Sequence, residues 1–149
     1  MEERKVMLKS LSNEEVELLA ISGEWEEVDV AVNCRKYDSN YVRGIQKTNY
    51  EAVINGEGRI IAVFGYELVT SKRSGVCLYI SPLCVHSDYR GIGIGSGIIE
   101  LLKIVAKKTE VKLMLYAHES VQGFYEKNGF KPVYDVEENY KAMEFLAQR

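Results

Sequence analysis

An α/β fold with a single mixed, splayed β-sheet flanked by helices is predicted by three features of the sequence. Strand-like and helix-like segments alternate through the second half of the chain, the pattern of strands joined by crossover helices. Ile60-Ile61-Ala62-Val63-Phe64 is a nearly continuous apolar run, as expected of a strand buried on both faces. At mid-chain, Leu83 to Ile99 reads as the end of a strand, a glycine-rich turn and the first turn of a helix.

Each element has a local reason. Arg4 to Leu11 alternates loosely and suits a first strand. Ser12-Asn13-Glu14-Glu15 is a capping box that opens a helix through Val16, Leu18, Leu19 and Ile21 to the break at Gly23. From Glu24 to Tyr37 a helical face (Trp25, Val28, Ala31, Val32) competes with strand alternation (Val28, Val30, Val32), and a second helix is expected. Asp38 to Thr48 is polar and reads as loop or short helix. Tyr50 to Ile54, Arg59 to Val69 and Val76 to Val85 read as strands. They are joined by turn signals at Asn55-Gly56-Glu57-Gly58 and Ser71 to Gly75. Pro82 inside the third strand cannot donate to a ladder, so a bulge or splayed edge is expected at Ser81-Pro82.

Ile94 opens a helix with a buried stripe at Ile98, Leu101, Leu102 and Val105, and with Lys103, Lys107 and Lys108 toward its C-terminus. Val111 to Tyr116 reads as a strand. Glu119 to Lys127 reads as a short helix closed by Asn128-Gly129, with Phe130 as the apolar partner of that cap. Lys131 to Asp135 and Tyr140 to Leu146 are the last strands, joined by the acidic turn Val136-Glu137-Glu138-Asn139. The expected order is β-α-α-β-β-β-α-β-α-β-β, with no internal repeat.

The 149 residues suit one domain spanning 1–149, and 46% hydrophobic with 28% charged residues is ordinary for a water-soluble fold. No apolar run reaches membrane-spanning length, and Met1-Glu2-Glu3-Arg4-Lys5 leads into no secretory segment. Cys34, Cys77 and Cys84 are odd in number and lack metal-ligand spacing, so reduced thiols in a cytoplasmic protein and no metal are expected. The net charge of −3 argues against nucleic acid as a partner and suits a cationic or neutral substrate.

The glycine turn carries the chemistry. Gly91, Gly93, Gly95 and Gly97 alternate with Ile92, Ile94 and Ser96. Glycines let backbone N–H groups converge without side chains in the way, and a helix N-terminus adds unpaired N–H groups and the positive end of its dipole. The product is a phosphate cradle. Arg90 brings a positive charge, and no carboxylate lies between Arg90 and Ile99. A dinucleotide fingerprint needs a different glycine spacing after a first strand, and a P-loop needs a Gly-Lys-Ser/Thr ending that is absent.

Arg90-Gly91-Ile92-Gly93-Ile94-Gly95, with Val85-His86 before it and an amphipathic helix after it, resembles the pyrophosphate loop of the GNAT superfamily of N-acyltransferases. Phe124-Tyr125-Glu126-Lys127-Asn128-Gly129-Phe130 resembles the second acyl-CoA motif of that superfamily, in the right order and with one helix and one strand between. The resemblance implies that acetyl-CoA, as cosubstrate, lies in a V-shaped gap between the strands 76–85 and 111–116. Its pantetheine would pair with backbone at Leu83 and Val85, with Cys84 between them also counted as cofactor-binding. Its pyrophosphate would sit on the N–H groups of Arg90, Gly91, Ile92, Gly93, Ile94, Gly95 and Ser96.

Phe124 and Lys127 would line the CoA side of the short helix, and Tyr125 matches the position whose hydroxyl protonates the leaving thiolate. A tyrosine with a reference pKa of about 10 is protonated at neutral pH and suits that task. The Val85 N–H is placed to polarise the thioester carbonyl. The superfamily often has asparagine seven residues before the tyrosine; this chain has His118, which can still hydrogen-bond the pantetheine or a water, or act as a base.

An alkyl amine is almost wholly protonated at pH 7, so a base is needed. Some relatives carry a glutamate on the strand 76–85, which has no acid here. Glu67, Tyr79, His118, Glu119 or a bound water remain open. Nothing near Cys84 in sequence clearly lowers its pKa, so direct transfer in a ternary complex is expected rather than an acyl-cysteine.

The expected function is therefore transfer of acetyl from acetyl-CoA to a primary amine, on a small molecule or a peptide, with a homodimer left open. The other reading is a non-catalytic acyl-CoA-binding regulatory domain. The acceptor site is expected among residues 22–48, with Glu24, Trp25, Glu26, Glu27, Asp29, Tyr37 and Tyr41, and near Glu137-Glu138.

Overall fold

The structure is a computed structural model that describes residues 6–21, 49–137 and 139–146. The strands are β1 (Met7–Leu11), β2 (Asn49–Ile54), β3 (Ile60–Ser71), β4 (Gly75–Val85), β5 (Lys112–His118), β6 (Lys131–Glu137) and β7 (Tyr140–Phe145). The helices are α1 (Asn13–Ile21), α2 (Ile94–Thr109) and α3 (Gln122–Lys127), with a 3-10 turn at Ser87–Tyr89. The seven strands make one sheet in the order β1-β2-β3-β4-β5-β7-β6. The β4–β5 pair is parallel and the others are antiparallel, so the sheet is mixed as predicted. The helix expected over Glu24 to Tyr37, the segment Asp38 to Thr48 and the expected acceptor wall at residues 22–48 lie outside the described residues.

Local signals act as read. The Ser12 N–H donates to Glu15 Oε1 at 3.0 Å and the Glu15 N–H donates to Ser12 Oγ at 3.1 Å, closing the capping box. The bond from the Ser12 backbone holds the Glu15 carboxyl below its usual range. Several boundaries shift. β3 runs on to Ser71 and β6 to Glu137, so Val136 and Glu137 belong to the strand and not to the expected acidic turn. β5 runs on to His118, because β7 pairs with it as far as His118 opposite Tyr140. α3 starts at Gln122 rather than Glu119, because the intervening residues form a turn. In it the Glu119 N–H donates to Asn139 O at 2.8 Å and the Val121 N–H to His118 O at 2.9 Å.

The helices cover opposite faces. α2 buries Ile98, Ile99, Leu102 and Ala106 on Ala62, Phe64, Leu78, Ile80, Leu113 and Leu115. Ile99 and Ala106 thus take the centre of the stripe, and Leu101 and Val105 flank it half-buried. α1 packs Val16 and Leu19 with Leu11, Ala52, Val63 and Cys84 on the other face.

The position of the site is set by an irregularity in β4. Phe64 pairs with Leu83 but Tyr66 pairs with Ile80, so Gly65 alone opposes Ser81 and Pro82. This is the bulge expected from Pro82. Its requirement on β3 is less legible. A Cβ on Gly65 would stand 2.6 Å from Ser81 O and 2.9 Å from the Tyr50 ring, so only glycine fits. β4 pairs with β5 at three rungs, Cys77–Lys112, Leu78–Leu113 and Tyr79–Met114, and the strands then part.

Two glycines separate packing from flexibility. Gly65→Ala is expected to lose about 1–3 kcal/mol of stability, the usual range for overpacking. Gly97→Ala in α2, where a Cβ meets nothing within 4 Å, is expected to gain about 0.5–1 kcal/mol. Urea unfolding of the two variants checks both signs.

Candidate active site

Where β4 and β5 part, the β4 backbone is offered to the gap. The His86 N–H donates to Ile61 O at 2.9 Å, which makes His86–Ile61 a hydrogen-bonded pair. Such pairs alternate along an antiparallel ladder. Leu83 and Val85 therefore turn their N–H groups away from β3 and into the gap, whereas Cys84 turns its own toward Val63. The Cys84 thiol also bonds Val63 O, at 3.7 Å. Of the three residues expected to meet pantetheine, Leu83 and Val85 present backbone donors and Cys84 does not.

The chain then enters the glycine turn. Gly91 and Gly93 have φ of 81° and 90°, a left-handed conformation that side chains strain. Gly93 is the N-cap of α2, and the first intrahelical bond runs from Gly97 N to Gly93 O at 3.0 Å. The N–H groups of Ile94, Gly95 and Ser96 have no acceptor among the described residues. Gly95 also lies close to α3: a Cβ there would stand 3.1 Å from Phe124 Cζ, so the ring would have to give by a few tenths of an ångström to admit it.

Arg90, expected as a phosphate partner, also binds the protein's own backbone. Its Nε donates to Val85 O at 2.9 Å, folding the side chain back onto the end of β4. Other groups brace the turn from the β2–β3 hairpin. Asn55 Nδ2 donates to the Tyr89 hydroxyl at 3.2 Å, and Arg59 pairs with Asp88 at 3.5 Å and lies over the Tyr89 ring. These braces span 29 and 34 residues of sequence, and no local pattern announces them.

Tyr125 is fixed by the end of α3. The Gly129 N–H donates to Glu126 O and the Phe130 N–H to Tyr125 O, each at 3.0 Å, with Gly129 at φ 93°. This is a Schellman cap, and the Phe130 ring packs 5.7 Å from the Tyr125 ring as its apolar contact. Tyr125 is 9% exposed and lies in the same buried cluster as Ile80 of β4 and Leu115 and Ala117 of β5, the strands that bound the gap. Its hydroxyl has no hydrogen-bond partner among the described residues. Burial pushes its pKa well above the ordinary tyrosine value, and the Cys84 thiol adds to this.

Residues 48–132 match the family model of the GNAT acetyltransferase domain. The chain belongs to the GNAT acetyltransferase family. Solved structures agree on the fold. A GNAT-family acetyltransferase of Staphylococcus aureus Mu50 superposes with a TM-score of 0.63 at 13% identity, covering 97% of this chain and 100% of that one. An acyl-CoA N-acyltransferase of Pseudomonas aeruginosa gives 0.64 at 19% identity over 96% and 99%. A Bacillus anthracis protein described as a streptothricin acetyltransferase, solved with acetyl coenzyme A, gives 0.55 at 21% identity over 70% and 64%.

In this GNAT domain the other expected site residues sort by position. His118 ends β5, where its Nδ1 accepts the Ser120 N–H at 3.1 Å and lies 2.9 Å from Ser120 Oγ. A neutral His118 then carries its proton on Nε2, and the ring braces the turn before α3. Lys127 and Glu119 are exposed. A Cβ on Gly123 meets nothing within 4 Å, so no protein backbone requires a glycine there. Glu67 and Tyr79 are brought together as register partners on β3 and β4, both buried. No group of metal-ligating side chains is found, and no helix is long and apolar enough to cross a membrane, among the described residues. A separate groove of about 1130 Å³ opens along α2. It shares Ile92, Gly93 and Ile94 with the nest but not Leu83, Val85 or Tyr125.

A bonded tyrosine hydroxyl contributes about 0.5–1.5 kcal/mol. Because the Tyr125 hydroxyl has no partner, Tyr125→Phe is expected to keep or raise Tm. A clear fall in Tm, measured by circular dichroism, shows that the hydroxyl is structurally tied.

Proposed function

We propose that the protein is an acetyl-CoA-dependent N-acetyltransferase that acetylates a primary amine, on a small molecule or a peptide, by direct attack in a ternary complex. The observation that carries this reading is the buried, unpartnered Tyr125 hydroxyl beside two strands that part. A polar group is seldom buried without a partner unless it has other work. The amides of Ile94, Gly95 and Ser96 suit a diphosphate, and those of Leu83 and Val85 suit an extended amide chain such as pantetheine. The acetyl coenzyme A bound to the Bacillus anthracis protein, which shares this fold, agrees with that assignment.

The residues divide the work. Val85 offers an N–H to the thioester carbonyl while its own carbonyl is held by Arg90. Tyr125 gives a proton to the departing sulfur. Phe124 closes the space between α3 and the N-terminus of α2. The free thiols of Cys77 and Cys84 fit a cytoplasmic setting.

The test is release of free thiol from acetyl-CoA with a panel of amines. Turnover is expected with at least one amine, and Tyr125→Phe is expected to slow it by roughly 10²-fold while leaving CoA affinity unchanged in calorimetry. CoA binding with no turnover across the panel supports the regulatory reading instead. The raised pKa of Tyr125 keeps the hydroxyl protonated beyond its ordinary range. The pH–rate profile of the wild type is therefore expected to show no falling limb below about pH 10.

A further inference from the structure

We propose that Glu67 is the base that takes the proton of the incoming ammonium, and that the acceptor approaches from the sheet face opposite Tyr125. The proposal rests on the N-acetyltransferase reading above. Glu67 is 3% exposed and is the only carboxylate in the buried class among the described residues. It interrupts a largely apolar strand, where a charge is costly to bury and seldom kept without use.

Its place in the sheet is specific. Glu67 of β3 pairs with Tyr79 of β4, and Tyr79 pairs with Met114 of β5. These three residues form one row across three strands, and it is the last row before β4 and β5 part. The acid belongs to β3, so the strand that leads into the nest supplies its backbone while its neighbour supplies the carboxylate.

The faces are equally defined. Tyr79 packs with Val69, Cys77 and Met114, and as its direct partner Glu67 lies on that face. Tyr125 belongs to the buried cluster on the other face, with Leu78, Ile80, Leu113 and Leu115. A thioester held along the edge of β4 would thus have a proton acceptor on one side and a proton donor on the other. The Tyr79 and Tyr116 rings, 5.5 Å apart, add an aromatic wall on the Glu67 side that suits an ammonium.

The step balances. The amine nitrogen bonds to the carbonyl carbon, and the carbon–sulfur bond breaks. The ammonium loses two protons. The first goes to Glu67 before attack and then to solvent. The second, lost after the new bond forms, replaces the one that Tyr125 gives to sulfur, so CoA leaves as the thiol and the amide is neutral.

Among the described residues, the other titratable groups on this face include Tyr50 on β2, Cys77, Tyr79 and Cys84 on β4, Lys112, Tyr116 and His118 on β5, Tyr134 on β6, and Tyr140 and Glu144 on β7. Lys112 and Glu144 pair with each other at 3.0 Å. Burial pushes the Cys77 thiol up to about 11, so it stays uncharged through the range tested.

The experiment compares the wild type with Glu67→Gln on two amines, one strongly basic and one weakly basic and already neutral at pH 7, such as methoxyamine. Glu67→Gln is expected to lose roughly 10²-fold in kcat/KM for the basic amine at pH 7. The deficit should shrink as pH rises toward 10 and be absent for the weakly basic amine, with CoA affinity unchanged. An equal loss for both amines, or a deficit constant with pH, assigns Glu67 a structural role and overturns the proposal. Activity within twofold of wild type does the same. If Glu67→Gln does not fold, Glu67→Asp carries the same comparison. If the wild type turns over no amine at all, the N-acetyltransferase reading itself fails and this inference with it.

Discussion

The parting of β4 from β5 beyond the Tyr79–Met114 rung is the constraint on which the rest depends. Parallel strands of a sheet normally pair along their length, because an unpaired N–H or C=O in a buried place costs free energy comparable to a lost hydrogen bond. Here the pairing ends inside the sheet, not at its margin. The extra residue at Ser81-Pro82 bends β4 at that point, and the missing side chain of Gly65 lets the Ser81 carbonyl lie against β3. The result is an opening walled by backbone donors.

The open strand edge continues directly into the glycine turn. Leu83 and Val85 present amides sideways, and within a few residues Ile94, Gly95 and Ser96 present theirs at the head of α2. One run of chain thus supplies two kinds of donor set, one suited to an extended amide chain and one to a compact anion. The braces from Asn55 and Arg59 tie this run to the β2–β3 hairpin, so its geometry is held from outside the run itself.

Much of this was legible in the sequence because the signals are local. The capping box, the bulge at Pro82, the left-handed glycines and the Schellman end of α3 each occupy a few neighbouring residues, and all are present. Contacts between distant segments were not legible. Gly95 looked like part of a phosphate cradle alone, yet the Phe124 ring also crowds that position. Arg90 looked like an anion partner, yet the carbonyl it bonds becomes reachable only once the turn is formed. The alternation that turns Cys84 inward depends on the phase of the ladder with β3, which no stretch of β4 reveals alone. Likewise Glu67 looked like one acid among several until the register set it in line with Tyr79 and Met114.

The contact of Phe124 with Gly95 has an evolutionary consequence. The two motifs lie almost thirty positions apart in the chain, yet they share one small volume. A bulkier residue at 95 pushes on the ring at 124, and a change at 124 alters the room beside Gly95. The two positions are therefore sterically coupled, and substitutions at one shift what the other can accept as the lineage diverges.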